Sequence, residues 1–316
     1  MDSDDDGNRS KYEAYLKELF NKYNRTAQKE FCGLSPLQMM RIIYYNEFKQ
    51  LEPFLSFKKD ISEKLLMKVP VMKLEEKLIE LVEKNNGKIG LTNKGNLKLS
   101  ITKKIFNDCK FLNENGRYDY FTKGIFSLRS EEHIPYLFRL RNLITMNKSY
   151  FTEKSTYITY KKKKIDRSTP VERYLEYMFI LGRFLNWSYF YRYGHIYSII
   201  RNGWIFSLFL LHKFGDIFRE YDFYASKFLE AFPEKDQWFY VDKEQYEDLY
   251  YPEDIRELND DDNDKNRKLL YSYRTFFYML CFGLVEEKEK REGYTFKRYV
   301  KKTEFFEEFF NFNPEL

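Results

Sequence analysis

Apolar residues recur along this chain mostly at steps of three and four, the period of a helix that buries one face. The first such run extends from Lys11 to about Tyr23, where Tyr12, Tyr15, Leu16, Leu19, Phe20 and Tyr23 form a broad stripe. Gly33-Leu34-Ser35-Pro36 predicts the start of a second helix. Ser35 would cap it, Pro36 would fill the first position, where no amide donor is needed, and Leu37, Met40, Ile43 and Tyr44 would face inward. Residues 48–68 read as a linker with a short helix after Asp60. Pro70 opens a further helix with Met72, Leu74, Leu78, Leu81 and Val82 on one face, and Asn85-Asn86-Gly87 ends it.

The period then changes. Lys88 to Thr92 and Leu97 to Leu99, joined by Asn93-Lys94-Gly95-Asn96, predict a short hairpin in which Gly95 supplies a positive φ, and a helix to Asp108 closes the unit. The order recurs after Ser130, which can cap a helix carrying Tyr136, Leu137, Leu140 and Leu143. That helix leads to strand-like stretches at 150–152 and 157–160. A third instance runs from a helix Leu269 to Cys281 through Phe282 to Val285, a charged tip Glu286 to Gly293, a return strand Tyr294 to Val300 and a last helix. A helix, a strand, a charged tip and a return strand together describe a wing. Between the second and third instances, residues 171–232 read as purely helical, with Phe218, Tyr221, Ala225, Phe228 and Phe232 as one stripe. The fold class expected is mainly α with small β-hairpins: winged-helix-like units around a central helical bundle. The expected divisions are a disordered acidic tail (1–10), an N-terminal helical region with the first helix–hairpin unit (11–128), a second unit (129–168), the bundle (169–245), an acidic loop (246–266) and a C-terminal unit (267–316).

Composition adds three constraints. The 31 Phe and 28 Tyr among 316 residues rise together with Lys, Asn and Ile, as A/T-rich coding would make them, and most of these rings are read as core rather than as stacking platforms for bases. A net charge of +5 excludes a polybasic tail protein but leaves room for a local basic face. Cys32, Cys109 and Cys281 are odd in number and far apart, so neither a disulfide framework nor a metal knuckle is expected, and a reducing, cytoplasmic setting is. The acidic N-terminus is unlike a signal peptide, and the apolar run Trp204 to Leu211 is too short to span a bilayer.

Chemistry is sparse. His133, His195 and His212 are isolated in sequence, and there is no HExxH, no GxxxxGK and no GxGxxG after a strand. No catalytic, cofactor-binding or metal site is expected, although dispersed carboxylates would escape this reading. The leading functional candidate is Lys161-Lys162-Lys163-Lys164 with Arg167, preceded by Arg141 and Lys148. Lysines beside a wing lie along the phosphate backbone of a nucleic acid. The competing reading is a solvated charged face on a module that binds a protein partner or serves structure. Two weaker candidates are the lysines Lys94, Lys98, Lys103 and Lys104, and the interleaving of Arg183, Arg192, His195 and Arg201 with Trp187 and Tyr189 to Tyr197.

Gly33-Leu34-Ser35-Pro36 with Gln38-Met39, followed about fifty residues on by Leu91-Thr92-Asn93-Lys94-Gly95-Asn96-Leu97, resembles a set of uncharacterised bacterial proteins in which GLSPxQM precedes LTxKGNL. The resemblance covers roughly the first 110 residues and implies a bacterial source and a shared fold. Some of those proteins carry a cysteine-rich zinc motif or an extra plasmid-derived domain, neither of which is present here. The resemblance implies no activity.

Overall fold

The computed structural model of the protein describes residues 4–44, 55–58, 60–109, 127–184, 200, 203–233, 263–292 and 295–313. Over these the chain is mainly helical, with small antiparallel sheets. Helix α1 (Asp4–Arg25) precedes α2 (Pro36–Tyr44). The helix begins at Asp4, inside the stretch expected to be disordered, and the carboxylates of Asp4 to Asp6 in its first turn suit the positive end of the helix dipole. Ser35 and Gln38 cap α2 reciprocally: the Gln38 amide donates to Ser35 Oγ at 3.3 Å, and the Ser35 amide donates to Gln38 Oε1 at 2.7 Å.

After β1 (Leu55–Phe57) and the short α3 (Glu63–Leu66), one order of helices and strands occurs twice among the described residues. The first occurrence is α4 (Pro70–Lys84), β2 (Ile89–Gly90), α5 (Leu99–Asp108), α6 (Pro135–Met146), β3 (Phe151–Glu153) and β4 (Tyr157–Tyr160). Its sheet has the order β2-β4-β3, with Ile89 opposite Ile158 and Phe151 opposite Tyr160. Then come α7 (Lys162–Ile165) and α8 (Pro170–Phe179), the latter continuing as a π-helical turn over Ile180–Phe184. The second occurrence is α9 (Trp204–Phe214), β5 (Arg219–Glu220), α10 (Tyr221–Ala231), α11 (Asn263–Cys281), β6 (Val285–Glu292) and β7 (Thr295–Lys302), with the sheet order β5-β7-β6. In both, the strand between the first two helices pairs with the last strand of the hairpin. The chain ends with α12 (Glu304–Phe309) and β8 (Phe310–Phe312), and β8 pairs with β1.

Three expectations change. The stretch 88–99 does not form a hairpin of its own beyond the Leu91–Leu97 bridge; its strand β2 is the edge of the sheet made by β3 and β4, so the boundary expected at 128/129 cuts a sheet. The region 171–232 is not purely helical, since Arg219–Glu220 pairs with Tyr299 and Val300 and leaves Phe218 outside α10. The charged stretch after Val285 is strand to Glu292 rather than tip, with Glu286 opposite Lys301 and Glu289 opposite Arg298 across the ladder. Residues 246–262 of the expected acidic loop lie outside the described residues.

Aromatic rings fill much of the interior. Tyr174 meets Phe305 and Phe309 edge to face, and Tyr174 Oη donates to the Phe282 carbonyl at 2.8 Å. Phe206, Phe228, Phe232 and Tyr271 form a second cluster. Buried ions are paired: Arg173 Nε donates to both oxygens of Glu75 at 3.0 Å, and Tyr177 Oη donates to Glu75 Oε1. Burial pushes the Glu75 carboxyl up, and Arg173 and Tyr177 work against that shift. Among the described residues no helix is long and apolar enough to cross a membrane.

Candidate nucleic-acid interface

Lys148, Lys161 to Lys164 and Arg167, singled out from the sequence, come together at the base of the β3–β4 hairpin, the end away from the turn between the strands. The Tyr150 carbonyl accepts from the Lys161 amide at 2.8 Å, which closes the sheet and starts a single helical turn, α7. Thr169 then caps α8 in a reciprocal box with Glu172. This short turn between two fixed points lifts four consecutive lysines off the sheet, and Lys161, Lys162, Lys163, Lys164 and Arg167 are all exposed. Lys148 is exposed beside them, and its carbonyl accepts from Lys161 Nζ.

Neighbouring carboxylates reach only part of this ridge. Lys162 lies 3.9 Å from Glu83 and 3.7 Å from Asp166. Lys148, Lys163, Lys164 and Arg167 form no ion pair among the described residues. Seven basic residues stand against two acidic ones between Lys148 and Arg167, so the ridge is a local positive field on a chain of modest net charge.

Arg141 does not belong to it. Its side chain is 1% exposed, with Nε and Nη2 donating to Glu131 at 3.0 Å, Nη1 to Glu153 at 3.1 Å and Nη2 to the Gly95 carbonyl at 3.1 Å. Burial alone would lower the Arg141 pKa, but the Glu131 and Glu153 carboxylates outweigh it and hold it above the ordinary value. A guanidinium so placed has no donor to offer a phosphate, and the expectation that it would contact one is corrected here. The spacing carried the signal: Arg141 sits four residues after Leu137 and three before Ile144, on the inward face of its helix.

The same network explains LTxKGNL. Thr92 Oγ1 accepts from the Asn96 amide, Gly95 takes φ +77°, and the Leu97 amide donates to Glu131 Oε2 at 2.8 Å. Asn96 Nδ2 reaches Glu132 and Ser130. In this chain Ser35 and Gln38 cap a helix, and residues 91–97 form a turn tied to Glu131 and Arg141.

The other candidates divide. Lys94, Lys98, Lys103 and Lys104 surround this turn, with Lys98 packed against Gly90. Arg192, His195, Arg201, Trp187 and the tyrosines 189–197 lie outside the described residues. His133 accepts from the Arg129 amide, and His212 stacks on Phe312. Among the described residues no three His, Cys, Asp or Glu side chains are grouped so as to hold a metal ion.

The helix that precedes each hairpin is turned inward. Along α6 only Met146 at the C-terminal end is exposed among the described side chains, and along α11 only Asp264 and Lys265 in the first turn. The two helices meet where the Arg139 guanidinium lies 4.8 Å from the centre of the Phe277 ring. No family model, no curated protein and no solved structure matches this chain.

Proposed function

We propose that residues 70–160 and 204–302 are two winged-helix units in tandem, and that the protein is a non-enzymatic binding protein that grips the phosphate backbone of nucleic acid without reading its sequence. The order helix, strand, helix, helix, strand, strand, with the first strand pairing the last, supports the winged-helix reading in both units. The exposed ridge of Lys148, Lys161 to Lys164 and Arg167 carries the functional reading. Indifference to sequence follows from α6 and α11. In helix-turn-helix proteins the recognition helix enters the major groove, and here the two helices in that position expose almost none of their described side chains. Base edges are then read by nothing, and the affinity comes from counterion release.

The test is fluorescence anisotropy of a labelled random duplex at two salt concentrations. Binding in the range of about 1–100 µM is expected, weakening steeply with salt, and it is lost when Lys161 to Lys164 are all changed to Ala. Absence of binding at low salt would falsify the backbone-contact reading. The second reading, a protein-interaction module, is favoured by one observation: the charges of the other hairpin, β6–β7, are nearly all matched within the chain. Under it the duplex is not bound, and a protein partner co-purifies.

A further inference from the structure

Helix α1 stands apart from the interior. Every described side chain from Tyr12 to Arg25 is exposed except Leu16, which is half-buried. Its stripe is bare: Tyr12 is 62% exposed, Tyr15 59%, Leu19 49%, Phe20 59% and Tyr23 56%. A lone helix gains little from its own hydrogen bonds, and most helical stability in proteins comes from packing an apolar face. Here that face meets water along most of its length.

We propose that α1 is a dimerisation helix, pairing antiparallel with α1 of a second copy of this chain, stripe against stripe. Two observations select that occupant. The first is the internal symmetry of the stripe. From either end it reads tyrosine, then an aromatic ring three positions in, then a leucine: Tyr12 answers Tyr23, Tyr15 answers Phe20 and Leu16 answers Leu19, about a midpoint between Lys17 and Glu18. A twofold axis normal to the helices at that midpoint sets each residue level with its counterpart, as an isologous interface requires. Antiparallel pairing also brings opposite ends of the helix dipoles together.

The second is area. Four large rings more than half exposed, with Leu19, leave roughly 500–600 Å² of apolar surface per copy. Two copies then bury about 1,000–1,200 Å², which reaches the size at which specific interfaces hold. The edges of the stripe carry Glu13 on one side and Lys22 on the other, with Lys17 and Glu18 behind it. Closing the stripe therefore buries no charge, and the helix lacks the uniformly basic flank that an anionic lipid surface selects.

Sedimentation equilibrium of the full chain is expected to show a dimer whose fraction grows with concentration. Leu19→Glu with Phe20→Glu should weaken it at least roughly tenfold, because an isologous contact counts each substitution twice. The melting of the rest of the molecule should not move, since these side chains touch little else. The arrangement is read separately by mixing a Tyr12→Cys chain with a Tyr23→Cys chain under mild oxidation, the native thiols being buried. Mixed disulfides in preference to 12–12 and 23–23 pairs support the antiparallel pair. A monomer at every concentration, a dimer indifferent to the glutamates, or a preference for like pairs would each overturn the proposal.

Discussion

The two repeats of this molecule have the same order of elements and the same strand pairing, yet they treat charge in opposite ways. Between Val285 and Lys302 the second hairpin carries seven basic and four acidic residues, a basic count equal to that between Lys148 and Arg167 in the first. In the second hairpin every cation has a partner. Glu286 lies 3.5 Å from Lys301, Glu289 is 3.2 Å from Arg298, and Glu292 is 3.2 Å from both Lys290 and Lys297. Lys302 pairs with Asp216 and Glu307, Lys288 sits over Phe218, and Arg291 over Phe296. Two of these pairs are directly opposed in the long ladder, Glu286 with Lys301 and Glu289 with Arg298, and the rest are diagonal, along one strand or with neighbouring elements. The first hairpin is short, and its lysines come after the strand has ended, where no cross-strand position remains to answer them. A count of basic residues therefore does not measure the charge a surface offers; the register does.

The sharpest way to break the comparison is inside the first repeat, where one cation is used for folding and its neighbours are not. Arg141→Ala leaves the fully buried Glu131 uncompensated, and removing one partner of a buried ion pair costs about 3–5 kcal/mol. Urea unfolding is expected to show that loss, with part of it recovered when Glu131→Gln is added. The quadruple change of Lys161 to Lys164 to Ala should do the reverse. Exposed and mostly unpaired side chains contribute within about 0.5 kcal/mol each to stability. Duplex affinity should fall by roughly tenfold or more while the urea midpoint stays close to that of the parent, and the salt dependence should flatten as phosphate contacts are lost. Loss of stability without loss of binding would show that the ridge serves the fold.

What was legible in the sequence follows from range. Devices built within a few residues were readable: the Ser35 cap, the Pro70 helix start, the Gly95 turn, and the strands at Phe151 and Tyr157. Pairings over long separations were not. Nothing within residues 88–99 says that Ile89 lies opposite Ile158, and a two-residue strand such as Arg219–Glu220 has no period to detect. Periodicity therefore shows a helix followed by a hairpin, while the third strand of each sheet comes from far upstream, where no local pattern announces it. The basic ridge was legible as composition and Arg141 was misassigned to it. Telling them apart needs the face of the helix and the two carboxylates that meet there.

A third change sharpens the comparison from the other side. Replacing Glu286, Glu289 and Glu292 with Gln releases Lys301, Arg298 and Lys290 from their carboxylates and leaves Lys297 with Glu220 alone. If matching within the chain is what silences the second hairpin, the variant should gain a few-fold in duplex affinity at low salt, with the gain screened away as salt rises. Stability should change little, because solvent screens pairs this exposed. An unchanged anisotropy titration would mean that the hairpin faces away from any bound duplex.

The smallest effect is a pH dependence, and it concerns the helix that carries the first repeat. Hydrogen bonds from Lys77, then from Lys84, hold the Glu80 carboxyl well below its ordinary range, at about 2. A carboxylate depressed in the folded state stabilises it above the unfolded pKa of about 4.5, and that contribution is lost as pH falls toward the folded value. Because Glu80 is on the surface, screening reduces the contribution to a few tenths of a kcal/mol. Glu80→Gln should therefore lie slightly below the parent in urea midpoint at pH 6–7, and the difference should close between about pH 4.5 and 2. A difference that stayed constant from pH 7 to pH 2 would mean that Glu80 acts through the net charge of α4 rather than through a defined pair with Lys77 and Lys84.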